Sequence, residues 1–135
     1  MAHIHVYQSD GTTQISEGSG TNPIQFTLNA TNNEEGTPVK FSVKCETGKQ
    51  ITSAGVTITI INNSSSGREL KWALVPDNAG SPGAFNAYGA SLTLSGVIDA
   101  TTGKAFWVKA KAVSGEGPEN DANVDLKVEG TVEAV

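Results

Sequence analysis

The sequence predicts an all-β domain built of packed sheets, and three observations predict it. Apolar residues recur at every second position over several short runs, the period of a strand with one face buried. Between those runs stand clusters of Gly, Pro, Asn, Asp and Ser, with 15 Gly in 135 residues, and no helical segment separates them. Only 17% of the residues are charged and Thr, Ser, Asn and Val abound, a composition of polar, uncharged pleated surfaces rather than of a helical enzyme.

The two runs that close the chain show the pattern best. In residues 104–113, Phe106, Val108, Ala110 and Ala112 alternate with Trp107, Lys109 and Lys111; in residues 122–135, Val124, Leu126, Val128 and Val132 alternate with Asp125, Lys127, Glu129, Thr131 and Glu133. Residues 114–121 are dense in turn formers, so the spacing predicts an antiparallel hairpin with a loop longer than the tight two-residue type. A lone hairpin is barely stable in water, so its apolar faces need a second sheet from the upstream chain.

From the N-terminus, Ile4 and Val6 lie on one side of a run with His3, His5 and Tyr7 on the other, which fits a short strand or an arm that pairs with another subunit. Residues 9–22 hold Ile15 as their single apolar residue and read as a loop or extended linker that adds nothing to a core. Residues 1–22 are therefore read as an extended N-terminal arm and residues 23–135 as the sandwich, and deletion of residues 1–20 should leave the domain folded. Ile24, Phe26, Leu28 and Ala30 alternate after Pro23, and Val39, Phe41, Val43 and Cys45 alternate after Pro38. Each Pro stands at a strand start, where its missing N–H is tolerated.

Val56, Ile58 and Ile60 face opposite Thr57 and Thr59 in a β-branched run that suits a pleated surface. Leu70, Trp72 and Leu74 alternate until Pro76 stops the run, and Trp72 is expected as a core centrepiece whose indole N–H needs a partner. Residues 77–90 read as a long loop carrying Phe85 and Tyr88. Leu92 and Leu94 alternate with polar neighbours before Val97 and Ile98, and residues 99–103 turn the chain into the closing pair.

Seven strands, an eighth possible at the N-terminus and no helix between them are the signature of a two-sheet sandwich. The reading is an immunoglobulin-like β-sandwich, with a jelly roll as runner-up. The inter-sheet cysteine pair of antibody domains is missing, so the likeness is one of architecture. A chain of 135 residues makes one domain with one core. Cys45 is in phase with Phe41 and Val43 and reads as a small buried apolar residue rather than a reactive thiol. The core expected from these phases includes Phe41, Val43, Ile58, Trp72, Leu74, Phe106 and Leu126.

No arrangement of nucleophile, base and acid, and no phosphate-cradling Gly-rich turn, appears in the sequence, so an enzyme is not expected. The net charge of −5 argues against a nucleic-acid surface, which needs clustered Lys and Arg. No stretch is long and apolar enough for a membrane span. Residues 1–8 lack the pattern of a secretory signal, so the chain is expected to fold in the cytoplasm unless a leader has been removed. His3 and His5 could chelate a transition metal only if further ligands converged, for instance from three subunits, and an exposed strand face is the preferred reading. Asp121, Asn123 and Asp125 resemble the opening of a calcium loop, but Leu126 and Val132 stand where its Gly and bidentate Glu belong. No cofactor is expected, because alternation alone supplies a core. The glycosylation triplets at Asn29, Asn62 and Asn63 carry meaning only with export.

The aromatic residues that can meet a partner are Phe85, Tyr88 and Trp107. Trp107 points opposite to Phe106 and Val108, outside the main core, whereas Phe85 and Tyr88 are expected to plug one end of the sandwich.

Residues 104–112 (Lys-Ala-Phe-Trp-Val-Lys-Ala-Lys-Ala), with Glu116-Gly-Pro-Glu-Asn-Asp121 and Val124-Asp-Leu-Lys-Val-Glu-Gly130, resemble the closing hairpin of immunoglobulin-like modules in tailed-phage structural proteins. Gly20-Thr-Asn-Pro-Ile24 is similar to the start of the first core strand of such modules, so the resemblance covers the outer thirds of the chain. It implies a virion protein assembled in the host cytoplasm, and among small single-domain members a capsid decoration, or cement, protein. Such a protein docks on the major capsid protein or another virion protein as a homo-oligomer, a trimer being favoured. His3, His5, Tyr7, Phe85, Tyr88 and Trp107 are the candidate partner-binding residues. A carbohydrate- or receptor-binding sandwich that uses the three large aromatics is the alternative.

Overall fold

In a computed structural model of the chain, the residues that the structure describes are 3–15, 36–62, 68–85, 87–111 and 124–135. The strand expected at residues 24–30, the triplet at Asn29, and Asn63, Asp121 and Asn123 lie outside them. The described elements are β1 (Ile4–Gln8), β2 (Val39–Cys45), β3 (Lys49–Asn62), a 3-10 turn (Arg68–Lys71), β4 (Trp72–Asn78), β5 (Ser81–Pro82), β6 (Leu92–Leu94), β7 (Lys104–Ala110) and β8 (Val124–Ala134). They form two antiparallel sheets, one in the order β1-β2-β7-β4-β5 and one in the order β6-β3-β8.

The core lies between the sheets. Phe41, Val43 and Cys45 from β2, Val56, Ile58 and Ile60 from β3, Leu74 from β4, and Phe106 and Val108 from β7 are buried in one cluster, as their alternation requires. Phe106 is fully buried, and its ring stands 6.0 Å from that of Phe41. Leu126 is partly buried against this cluster. Trp72 is at its margin too, half-buried, which corrects its expected place at the centre. Leu70 belongs to the 3-10 turn and is 55% exposed, so the periodic run starts at Trp72 and not before it.

The closing pair is not a hairpin. β7 pairs with β2 and β4, whereas β8 pairs with β3, so the two strands belong to opposite sheets. Alternation marks which face of a strand is buried but not which strand it pairs with, and residues 111–123 are numerous enough to cross the ~10 Å between packed sheets.

The N-terminal segment is not an extended arm over its described part. β1 pairs along its whole length with β2, from Ile4 opposite Cys45 to Gln8 opposite Phe41. The chain then doubles back, with Gln14 bridging Tyr7 and the Ile15 N–H donating to the Val6 carbonyl at 2.9 Å. That return carries Ile15 into the core, where it is buried. The turn is fixed by the Asp10 carboxylate, which accepts the N–H groups of Thr12 and Thr13 at 2.9 Å each. The same Asp-x-Thr-Thr device recurs before β7, where Asp99 accepts the N–H groups of Thr101 and Thr102.

Two further differences come from backbone geometry. Pro76 does not stop β4, which runs on to Asn78 and turns through Ala79 and Gly80, both at positive φ, into β5. Positive φ at both central residues is the geometry of the tight hairpin turn, so residues 77–82 are a small hairpin rather than open loop. β3 begins at Lys49, before the expected run, and bulges between Ile51 and Val56. Gly55 makes the bulge possible: its φ is +79°, and a Cβ there would lie 1.8 Å from the Leu94 carbonyl oxygen.

Candidate docking face

Alternation turns one side of the five-stranded sheet into the core and the other outward. Residues directly opposite in antiparallel strands share a face. The registers therefore set His5 beside Lys44, Tyr7 beside Ser42, Lys40 and Val75 on either side of Trp107, and Lys109 beside Ala73. These residues form the outer face.

The connection after β5 folds onto the same face. Its ends are tied to β4, with the Gly83 N–H donating to the Pro76 carbonyl and the Gly89 N–H to the Trp72 carbonyl, each at 2.8 Å. Ala73 and Val75 point outward yet are fully buried, because this connection lies over β4. It carries Phe85 and Tyr88, whose rings meet edge to face at 5.3 Å. The Lys109 ammonium stands 3.9 Å from the centre of the Phe85 ring, and the Lys111 ammonium 4.3 Å from that of Tyr88. The two aromatics thus flank the β7 lysines and do not plug the end of the sandwich.

Trp107 lies outside the main core, half-buried, as its phase predicts. Its indole N–H donates to Oδ1 of Asp77 at 2.9 Å, and the Lys40 ammonium stands 5.9 Å from its ring centre. The Trp107 hydrogen bond holds the Asp77 carboxyl below the usual carboxylate range; partial desolvation opposes this, and the Gly80 N–H and Lys40 assist it. Near the far edge the Lys44 ammonium is 5.7 Å from the Tyr7 ring and donates to the Gly11 carbonyl at 3.0 Å. The His5 and Tyr7 rings meet at 6.5 Å.

The structure thus gathers His5, Tyr7, Phe85, Tyr88 and Trp107 on one face and leaves His3 apart. The His3 imidazole bonds Glu46, and the Glu46 N–H donates to the His3 carbonyl at 2.9 Å, so His3 pins the start of β1 to the β2–β3 connection. Among the described residues no group of three or more His, Cys, Asp or Glu could hold a metal ion. Burial raises the thiol pKa of Cys45, in keeping with an inert core residue.

Sequence reasoning missed Lys40, Lys44, Lys109, Lys111 and Asp77 as members of the face. Lys109 and Lys111 share the outward phase of Trp107 and could have been found from that signal. Lys40, Lys44 and Asp77 meet the aromatics only through the β1–β2–β7 and β4–β7 registers, which a single sequence does not display.

No protein-family model matches this chain, and no curated protein matches it.

Proposed function

We propose that the chain is a non-enzymatic structural protein of a virion, an immunoglobulin-like capsid decoration protein that docks on a phage head and stabilises it. The strand connections support the immunoglobulin-like reading. β2 leads to β3 across the sheets as β7 leads to β8, and the pairs β2–β7 and β3–β8 bring the two crossings together. In an immunoglobulin sandwich the orders are A-B-E-D and C-F-G; β1-β2-β7-β4 fits the first and β3-β8 the C-F pair of the second, with no described strand in the place of G. A departure is β6, which follows β5 in the chain yet joins β3.

The observation that carries a docking role is the gathering of five of the six candidate residues on one sheet face among lysines. Aromatic bodies beside fixed charges are what protein interfaces use as anchors. A glycan site is favoured less, because a sugar stacks on an open ring face and here ammonium groups stand over the Phe85 and Tyr88 rings. On a lattice, many such contacts act together, and a trimer about a local symmetry axis multiplies them further.

The test is cosedimentation with undecorated heads of the phage whose genome encodes the chain. Saturable binding that raises the heat resistance of the heads, and that W107A weakens, is the expected result. Failure to bind heads, together with glycan-array binding that W107A abolishes, would replace this reading with the carbohydrate-binding module.

A further inference from the structure

We propose that the outer face of the five-stranded sheet recognises an acidic, extended segment of a partner protein, with carboxylates on one side of that segment four residues apart. The inference rests on the docking role proposed above and gives it a chemistry.

The chain as a whole carries a net charge of −5, yet among the described residues this face is basic. Lys40 and Lys44 project from β2 on the same side, with Lys109 and Lys111 beyond them. Among the described residues no carboxylate forms an ion pair with Lys40, Lys44 or Lys111. Of the acids beside them among the described residues, Asp77 takes the Trp107 indole and the Gly80 N–H and lies near Lys40 without forming an ion pair with it, and Asp10 takes the Thr12 and Thr13 N–H groups.

The ammonium groups are also held in place. Lys40 stands over Trp107, Lys44 over Tyr7 and Lys111 over Tyr88. A ring face attracts a cation without neutralising it, so each lysine keeps its charge while its side chain is already ordered. Less rotamer entropy is then lost when a carboxylate arrives.

Spacing selects the partner. Lys40 and Lys44 are four residues apart on one strand, about 13 Å at 3.3 Å per residue. An extended segment presents side chains four residues apart at the same interval and on one side. A nucleic-acid duplex instead carries a charge about every 1.7 Å and is held by dense Lys and Arg clusters, which this face lacks.

The experiment compares two double variants of equal net charge. K40E/K44E inverts part of this face, whereas K49E/K127E makes the same change on the three-stranded sheet, and K40Q/K44Q serves as a milder variant if the inversion impairs folding. Each is measured by circular dichroism, against undecorated heads, and against poly-L-glutamate and a short DNA duplex as probes. Wild-type protein is expected to bind poly-L-glutamate in a salt-sensitive way. K40E/K44E is expected to weaken that binding at least about tenfold, with K40Q/K44Q in between and K49E/K127E near wild type. Equal losses in both double variants, or a preference for the duplex, would overturn the inference. Heads bound equally well by K40E/K44E would also overturn it and leave the capsid reading standing. Wild-type protein that binds poly-L-glutamate but not heads would remove the capsid reading and leave the basic face.

Discussion

Trp107 and Asp77 join β7 to β4 across the outer face, the indole N–H donating to the carboxylate at 2.9 Å. Asp77→Ala leaves that half-buried N–H without its acceptor and removes the anion beside Lys40. The expected cost is about 1 kcal/mol, the net worth of such a hydrogen bond. Trp107 emission in a W72F background, which isolates this indole, is expected to change with the substitution. An unchanged spectrum and urea midpoint would mean that the pair does not hold the ring.

The acid limb of stability follows from three carboxylates. Asp10 is held down to about 2, first by the Thr13 hydroxyl and then by the Thr13 and Thr12 N–H groups. Asp99 is lowered by the N–H groups of Thr102 and Thr101, and Asp77 by Trp107. A carboxyl whose folded pKa lies below its unfolded value of about 3.9 binds fewer protons when folded. Its contribution is therefore complete above that value and is lost as pH falls toward about 2, the folded value of Asp10. The urea midpoint is expected to fall between about pH 4 and pH 2. D10A/D99A should flatten that dependence, and a slope identical to wild type would show that the two turns do not carry it.

Phe106 fills the centre of the core against Phe41. Phe106→Ala should cost about 3–5 kcal/mol through lost transfer energy and the cavity left behind. Equilibrium unfolding reads this directly, and a loss under about 1 kcal/mol would place the ring outside the packed interior.

Much of the sandwich was legible because burial on one face leaves a mark every second residue. Phe41, Val43, Ile58, Leu74 and Phe106 are buried where that mark puts them. Trp107 is outside the main core for the same reason. Partner choice leaves no such mark, so the sequence suggests that β7 and β8 pair with each other, whereas each pairs elsewhere. Ile15 carries no such mark because a single apolar residue has no period; it is buried by the turn at Asp10, whose Asx geometry depends on a carboxylate and two N–H groups rather than on hydrophobic pattern. Ala73 and Val75 stand out of phase with Leu74 and are buried all the same, because the connection carrying Phe85 and Tyr88 folds onto their face. The candidate face is half legible in the sequence, its aromatics by type and its β2 lysines only by register.

Gly55 sits at the bulge of β3 with φ +79°, and an added Cβ would overlap the Leu94 backbone. Gly55→Ala therefore meets both an unfavourable conformation and a neighbouring strand that cannot yield as a side-chain tip can. The expected loss exceeds about 2 kcal/mol, opposite in sign to the gain of about 0.4–1 kcal/mol that Gly-to-Ala brings at a compatible site. Gly48→Ala is the control, since its φ is also positive but a Cβ there meets nothing within 4 Å. Equal losses in the two variants would assign the cost to φ alone and not to the approach of β6.

The N-terminal segment gives the last prediction, opposite in sign to that for a free arm. β1 supplies the sheet edge beside β2, Ile4 and Val6 pack partly buried against the core, and Ile15 is buried within it. Removing residues 1–15 uncovers the backbone edge of β2 and takes those three side chains out of the packing, which together should cost at least about 3 kcal/mol. Ile15→Ala alone should cost about 2 kcal/mol, because the site lies near the edge of the sandwich and can partly collapse. Both are read from urea unfolding of the otherwise intact chain. A truncated protein with an unchanged midpoint would show that β1 adds no stability to the sheet. If the truncation unfolds the domain while Ile15→Ala leaves stability untouched, the contribution resides in the β1–β2 pairing and not in the turn that returns Ile15 to the core.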